Sequence, residues 1–128
     1  MQNIEIYEGA LRLIAESVDP EENEDYRDRA SYLIAAFASE AEPLDNALRR
    51  LAGDTSRESF NPVCVSLDDT FPCLDRLAPA ACSYVAAMLI LDYDPQRAAF
   101  LYDMYRESIA AIHQSFPMIT ESIVDKYI

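Results

Sequence analysis

The scarcity of glycine constrains the fold of this chain more than any other feature. Only Gly9 and Gly53 occur in 128 residues, whereas the tight turns between β-strands usually depend on glycine. Alanine-rich stretches at 35–38 and 78–82 favour helices, because alanine has the best intrinsic helix propensity. The chain length is close to the commonest size of one domain. The sequence therefore predicts a single all-α domain over residues 1–128, with little or no sheet.

Proline and apolar periodicity divide this domain into a predicted compact bundle of five or six helices. Apolar side chains recur every three or four residues, which is the pattern of an amphipathic helix. Pro43, Pro79 and Pro95 stand where proline is tolerated, in the first turn of a predicted helix. The predicted spans are about 4–18, 21–41, 43–52, 79–91 and 95–114, with a further turn at 72–77.

Three residues are predicted to begin or end helices. Asn3 and Asp94 are candidate N-caps, because their side chains accept hydrogen bonds from free backbone N–H groups. Gly53 is a candidate for the position just after a helix, where a left-handed conformation is common. Residues 53–66 are the least helical part, and 63–65 is a candidate extended segment that would need a partner strand.

The same periodicity predicts a single hydrophobic core. Side chains on the apolar stripes of different helices should meet there, since each stripe has to be covered by another element. The predicted core members are Leu33, Phe37, Leu48, Val85, Leu89, Leu101 and Ile109.

The acidic charge excludes several classes of partner. The formal net charge is −13, and the 10 Lys and Arg residues are scattered among acids. Direct binding to nucleic acid needs clustered basic residues, and so does adhesion to an anionic membrane. No apolar run approaches the roughly 20 residues that cross a bilayer. Residues 1–5 lack the pattern of a secretory signal, so we expect a cytoplasmic protein. From its charge we expect it to bind neither nucleic acid nor membrane.

Cysteine and histidine show no metal-binding pattern. Cys64, Cys73 and Cys82 are nine residues apart, whereas zinc ligands come in close pairs. Buried small hydrophobic side chains are the better interpretation of all three, and Cys82 fits it best. His113 is the only histidine, and a surface or helix-capping role is expected for it. We expect no metal, no cofactor and no disulfide.

The acidic residues show no catalytic or calcium-binding pattern either. Asp92 and Asp94 lack the ligand spacing and the glycine of an EF-hand loop, and helix capping explains Asp94 better. Neither a phosphate-binding glycine loop nor a nucleophile elbow is present. We therefore expect no enzymatic activity and no catalytic residues.

The segment after Pro117 is the candidate interaction site. Proline cannot continue the preceding helix, and the tail at 117–128 is too apolar for a free end. It could cap the open end of its own bundle or dock on a neighbouring subunit or partner, and we favour the second. The candidate interface residues are Phe116, Ile119, Ile123 and Tyr127.

Tyrosines concentrate in the C-terminal half of the chain. Buried tyrosine needs a hydrogen-bond partner, and tyrosine is enriched at protein interfaces. Core packing and an interface role are therefore both open for this group. Its members are Tyr84, Tyr93, Tyr102, Tyr105 and Tyr127.

Four segments carry a resemblance to a known family. They are YEGALRLIAE at 7–16, YRDRASYLI at 26–34, LDDTFP at 67–72 and DPQRAAFLYDMY at 94–105. In this order they resemble the small helical head–tail connector (adaptor) proteins of tailed phages and prophages. The resemblance extends over most of the chain, although each segment is a general helical pattern.

The resemblance implies a structural role. A connector of this kind would form an oligomeric ring between portal and tail, and its partners would be other copies of itself and other phage structural proteins. It would be a virion component without catalytic residues. An acidic lumen would let DNA pass without adhering to it. The alternative is a helical regulatory module that binds another protein through its C-terminal face.

Overall fold

Helices account for most of the structure. The computed structural model describes residues 1–16, 22–57 and 62–115, and 71% of them are helical. No strand occurs in these ranges, apart from an isolated bridge between Gln2 and Thr70. The all-α prediction is therefore confirmed. The helices are α1 (Asn3–Leu13), α2 (Glu24–Leu51), α3 (Ala78–Ile90) and α4 (Pro95–Gln114), with a 3-10 turn at Asp75–Leu77.

The predicted helix count is wrong, because the described ranges hold four α-helices rather than five or six. Pro43 does not begin a third helix but lies inside α2. A proline inside a helix removes a backbone hydrogen bond and costs about 3 kcal/mol. The buried stripe of α2 nevertheless continues from Ala30 through Phe37 to Leu48, while Pro43 itself is exposed. Burial of this continuous stripe outweighs the local cost.

Helix α1 is shorter than predicted and begins differently. Gln2, not Asn3, is the N-cap, and its N–H group donates to Oε2 of Glu5 at 2.7 Å. The Asn3 side chain is completely buried and donates from Nδ2 to the carbonyl oxygen of Ser66 at 2.9 Å. Asn3 therefore ties the loop before α3 to α1.

Both α1 and α2 end in the same hydrogen-bond motif. Gly53 has φ +82° and donates to the carbonyl of Arg50 at 3.1 Å, while Asp54 donates to that of Arg49 at 2.7 Å. The prediction for Gly53 is confirmed. Ala15, with φ +57°, occupies the equivalent position after α1, which explains why this helix ends at Leu13.

Helix α4 has the predicted bounds. The Asp94 carboxylate accepts from the Arg97 N–H group at 3.2 Å, so its predicted capping role is confirmed. Pro95 occupies the first turn, and the helix ends at Gln114.

Helix α3 lies at the centre of the core and packs against α1, α2 and α4. Five predicted core residues are buried, and the other two, Leu33 and Ile109, are half-buried and pack against them. The five are Phe37, Leu48, Val85, Leu89 and Leu101. None of the helices in the described ranges has the length and apolarity needed to cross a membrane.

The segment at 63–65 forms no strand in the described residues. Val63 and Cys64 are exposed, and the Val65 N–H group donates to the carbonyl of Ser31 on α2 at 3.1 Å. This hydrogen bond anchors the segment to α2, so no partner strand is needed to explain its position.

Candidate protein interface

A groove between α2 and α4 lies beside the C-terminal end of the described chain. The four predicted interface residues Phe116, Ile119, Ile123 and Tyr127 lie outside the described residues, as does the rest of 116–128. The groove has two parts, of about 300 and 170 Å³, and His113 borders both. We call it the α2–α4 groove; its lining residues are Glu40, Pro43, Leu44, Ala47, Tyr102, Tyr105, Arg106, Ile109, Ala110 and His113.

The groove exists because α2 and α4 both pack on α3, and long side chains rather than closely approaching backbones connect α2 with α4. Aromatic rings fill the space beneath it. The ring centre of Tyr105 lies 6.1 Å from that of Phe37, 5.2 Å from that of Tyr84 and 5.4 Å from that of Tyr102. Edge-on and tilted contacts of this kind add stability beyond the buried area alone. The floor of the groove is therefore part of the packed core.

A hydrogen bond links α2 and α4 across the groove. The Tyr105 hydroxyl donates to Oε1 of Glu40 at 3.3 Å. Burial, and then the negative charge of Glu40, raise the pKa of Tyr105. The phenol stays protonated through the neutral range, so it remains a donor that links the two helices.

The walls and the rim of the groove differ in polarity. Leu44 and Ala47 of α2 line one part of the groove, and Ile109 of α4 lines the other. Arg106 and His113 are exposed at the rim. His113 lies in the last turn of α4 and is exposed, in agreement with its predicted surface role. An apolar cleft with a charged rim can bind an amphipathic segment.

The tyrosines divide between core and surface. Tyr84, Tyr102 and Tyr105 belong to the aromatic cluster beneath the groove, so they contribute to core packing, while Tyr102 and Tyr105 also line the groove. Tyr93 is 59% exposed, and Tyr127 lies outside the described residues. Leu91 at the same α3–α4 turn and Phe100 of α4 are further exposed apolar side chains.

The interpretation of the cysteines as buried is only partly right. Cys73 is buried, Cys82 is half-buried and Cys64 is exposed; all three are free thiols. Burial, and then the charge of Asp45, raise the pKa of Cys73 to about 12, so its thiol is unreactive at neutral pH. In the described part of the chain, no group of three His, Cys, Asp or Glu side chains is arranged to hold a metal ion.

A buried ionic cluster centred on Asp45 is not predictable from the sequence pattern. Its side chain is fully buried, and Oδ2 accepts from Nε of Arg57 at 2.8 Å and from Nε of Arg49 at 3.1 Å. Oδ1 accepts from the Leu74 N–H group at 2.8 Å. The pairing of Asp45 with Arg49 follows from their spacing on a helix. No local signal in the sequence points to Arg57.

Comparison with known proteins provides no relative from which a function could be transferred. No protein-family model, curated protein or solved structure matches the chain. The resemblance to head–tail connectors therefore stays a hypothesis, and the function has to be argued from the groove and from the charge of the chain.

Proposed function

We propose that this protein is a structural assembly protein, an adaptor of the phage and prophage head–tail connector kind that forms an oligomeric ring. The observation that carries the proposal is the open α2–α4 groove next to the start of an apolar tail. A domain with a groove and a separate apolar segment can offer two complementary surfaces. Such surfaces allow one copy to bind the next.

The charge of the chain supports this role. A net charge of −13 repels nucleic acid, which a ring around passing DNA requires. It also disfavours non-specific association between copies, so that assembly would depend on a specific apolar contact. Under the same proposal, the protein works in the cytoplasm and becomes a component of the virion.

The internal polar contacts support binding rather than catalysis. The most buried carboxylate, Asp45, is held by two guanidinium groups and a backbone N–H group. The buried Cys73 beside it has a raised pKa, opposite to the shift of a nucleophilic cysteine. These groups stabilise the fold, and we propose no enzymatic activity.

A regulatory module that binds a different protein is the second candidate. The observation that favours it is the exposure of large apolar side chains at and after the α3–α4 turn, where Leu91 is 50% and Phe100 is 66% exposed. An exposed apolar patch commonly marks a protein-binding site. A regulatory module would use this patch without forming a closed ring.

The solution mass at several concentrations tests the proposal. We expect a species whose mass is a fixed multiple of 14.4 kDa and stays constant over about a hundredfold range of concentration, because a closed ring has no free contact left. Rings should be visible by negative-stain electron microscopy. A protein that remains monomeric at the highest concentration contradicts the ring and leaves the regulatory module as the better candidate.

A further inference from the structure

We infer that the α2–α4 groove binds the tail at 117–128 of a neighbouring copy of this chain. The inference rests on the proposed self-association and supplies its contact. The contact would be head-to-tail, because the tail of one copy and the groove of the next copy are different surfaces. Contacts of this type close into rings when the rotation between copies allows it.

The lengths of the groove and of the tail agree. Along α4, the groove runs from Tyr102 to His113, which is about 16 Å at the rise of an α-helix. Ile119, Ile123 and Tyr127 are four residues apart in the sequence and would share one face of a helix about 12 Å long. All three apolar side chains therefore fit within the groove.

The polarity of the two surfaces also agrees. Apolar side chains from the tail would lie against Leu44, Ala47 and Ile109, which form the apolar walls. Lys126 flanks the apolar stripe on such a helix, and its ammonium group could pair with the carboxylate of Glu40, which lines the groove. Glu121 and Asp125 fall on the opposite face of such a helix and would remain in water. This pattern is typical of an amphipathic helix bound in a groove.

The way the chain leaves α4 favours a neighbouring groove over its own. Oγ of Ser115 accepts from Arg76 at 3.2 Å and donates to the carbonyl of Ile112 at 2.6 Å. Ser115 is two residues after His113, so it lies about 160° around the helix from that groove residue. Arg76 therefore holds the end of α4 on the side turned away from the groove. Pro117 cannot continue a helix, so a tail that leaves from this side would reach a neighbouring groove more directly than its own.

A pair of complementary variants tests the inference. Ala110→Arg places a long cation in the groove at an exposed position, and Ala111→Arg is the matched control because Ala111 is exposed but does not line the groove. Ile123→Asp puts a charge into the apolar stripe of the tail, and Ser122→Asp adds the same charge beside it. Circular dichroism checks that each variant is folded, and Ala110→Glu replaces Ala110→Arg if the latter does not fold.

We expect Ala110→Arg and Ile123→Asp each to weaken self-association by about tenfold or more, since a charge buried in an apolar contact is costly. The two controls should assemble like the unmodified chain. An equimolar mixture of the two variants should form a one-to-one heterodimer, because one intact tail still meets one intact groove. Light scattering would detect it as twice the mass of a 14.4 kDa chain.

Two results would overturn the inference in different ways. If the unmodified chain assembles and both variants assemble equally well, copies associate through another surface, and the proposed function survives without this contact. If the unmodified chain is monomeric and both variants lower its melting temperature, the tail binds the groove of its own chain. Self-association then fails together with the inference.

Discussion

The fully buried carboxylate of Asp45 accepts a hydrogen bond from Nε of Arg57 at 2.8 Å, although the two residues are twelve positions apart in the sequence. Arg57 lies beyond the end of α2, and its Nη2 also donates to the carbonyl of Ala38 at 2.7 Å. The same carboxylate accepts from the Leu74 N–H group. The Asp45 side chain of α2 therefore binds the long connection between α2 and α3 near both of its ends, at Arg57 and at Leu74.

Substitution of Asp45 by Asn should cost about 3–5 kcal/mol of unfolding free energy. The change removes the negative charge and leaves the guanidinium groups of Arg49 and Arg57 uncompensated in a buried site. Urea denaturation measures the loss. Asp92→Asn is the control, because Asp92 is exposed and its change should stay within about 0.5 kcal/mol. A loss below about 1 kcal/mol in Asp45→Asn would show that the cluster is not needed for stability.

The bounds of α4 and α2 show which parts of the fold were predictable. Asp94 and Pro95 form a strong local start signal with no competing influence, and the prediction for α4 is confirmed. Pro43 is an equally strong local signal, but the packing of Leu44 and Leu48 in the same core as Phe37 keeps α2 continuous. Tertiary burial overrode the local preference, and a single sequence does not contain that information.

The candidate site was less predictable than the fold. Apolar periodicity identified the tail from residues that are close together in the sequence. The groove is formed by two helices, and its lining residues Leu44 of α2 and Ile109 of α4 are more than 40 residues apart in the sequence. Its existence depends on how far α3 separates α2 from α4. Arg57 is similar, since a lone arginine in a polar connection gives no sign that it will be buried against Asp45.

Leu89→Ala and Leu91→Ala should differ sharply although the two residues are neighbours on the same turn. Leu89 is 1% exposed and Leu91 is 50% exposed. Truncation of a buried leucine leaves a cavity and costs about 2–5 kcal/mol, whereas a surface truncation costs about 0.5 kcal/mol or less. Thermal and urea unfolding of the pair would measure this. Equal losses would mean that Leu91 is covered in solution, for example by a partner.

Stability should fall as the pH rises from 9.0, the ordinary pKa of a cysteine thiol, toward about 12, the pKa of Cys73 in the folded chain. The folded state keeps this thiol protonated while the unfolded state loses its proton, so alkaline pH favours unfolding. Cys73→Ser should lessen the slope of unfolding free energy against pH in this range. Cys64→Ser should keep the full slope, since Cys64 is exposed. Identical slopes in the two variants would exclude Cys73 as the cause.

Reciprocal substitutions at the ends of α1 and α2 should have opposite effects. Ala15 and Gly53 both have a positive φ after a helix, a conformation that costs a non-glycine residue about 1–2 kcal/mol. Ala15→Gly should therefore stabilise the protein by up to about 1 kcal/mol, and Gly53→Ala should destabilise it by a similar amount. Melting curves of the two variants are sufficient. The explanation fails if both shift the melting temperature in the same direction.

Gly9→Ala should have an effect that depends on Cys82. An alanine inside an exposed helix is normally about 1 kcal/mol more stable than glycine, but a Cβ atom at position 9 would lie 2.7 Å from Sγ of Cys82. That sulfur also donates a hydrogen bond to the Ile6 carbonyl at 3.5 Å, so either the Cys82 side chain must rotate and lose this bond or α1 and α3 must separate. We expect a net loss of about 1–3 kcal/mol, the usual cost of overpacking. With Cys82→Ala in place the obstacle is gone, and Gly9→Ala should become neutral or stabilising. A double-mutant cycle measured by urea denaturation gives the coupling between the two positions, and a coupling near zero would show that α1 and α3 do not depend on glycine for their close approach.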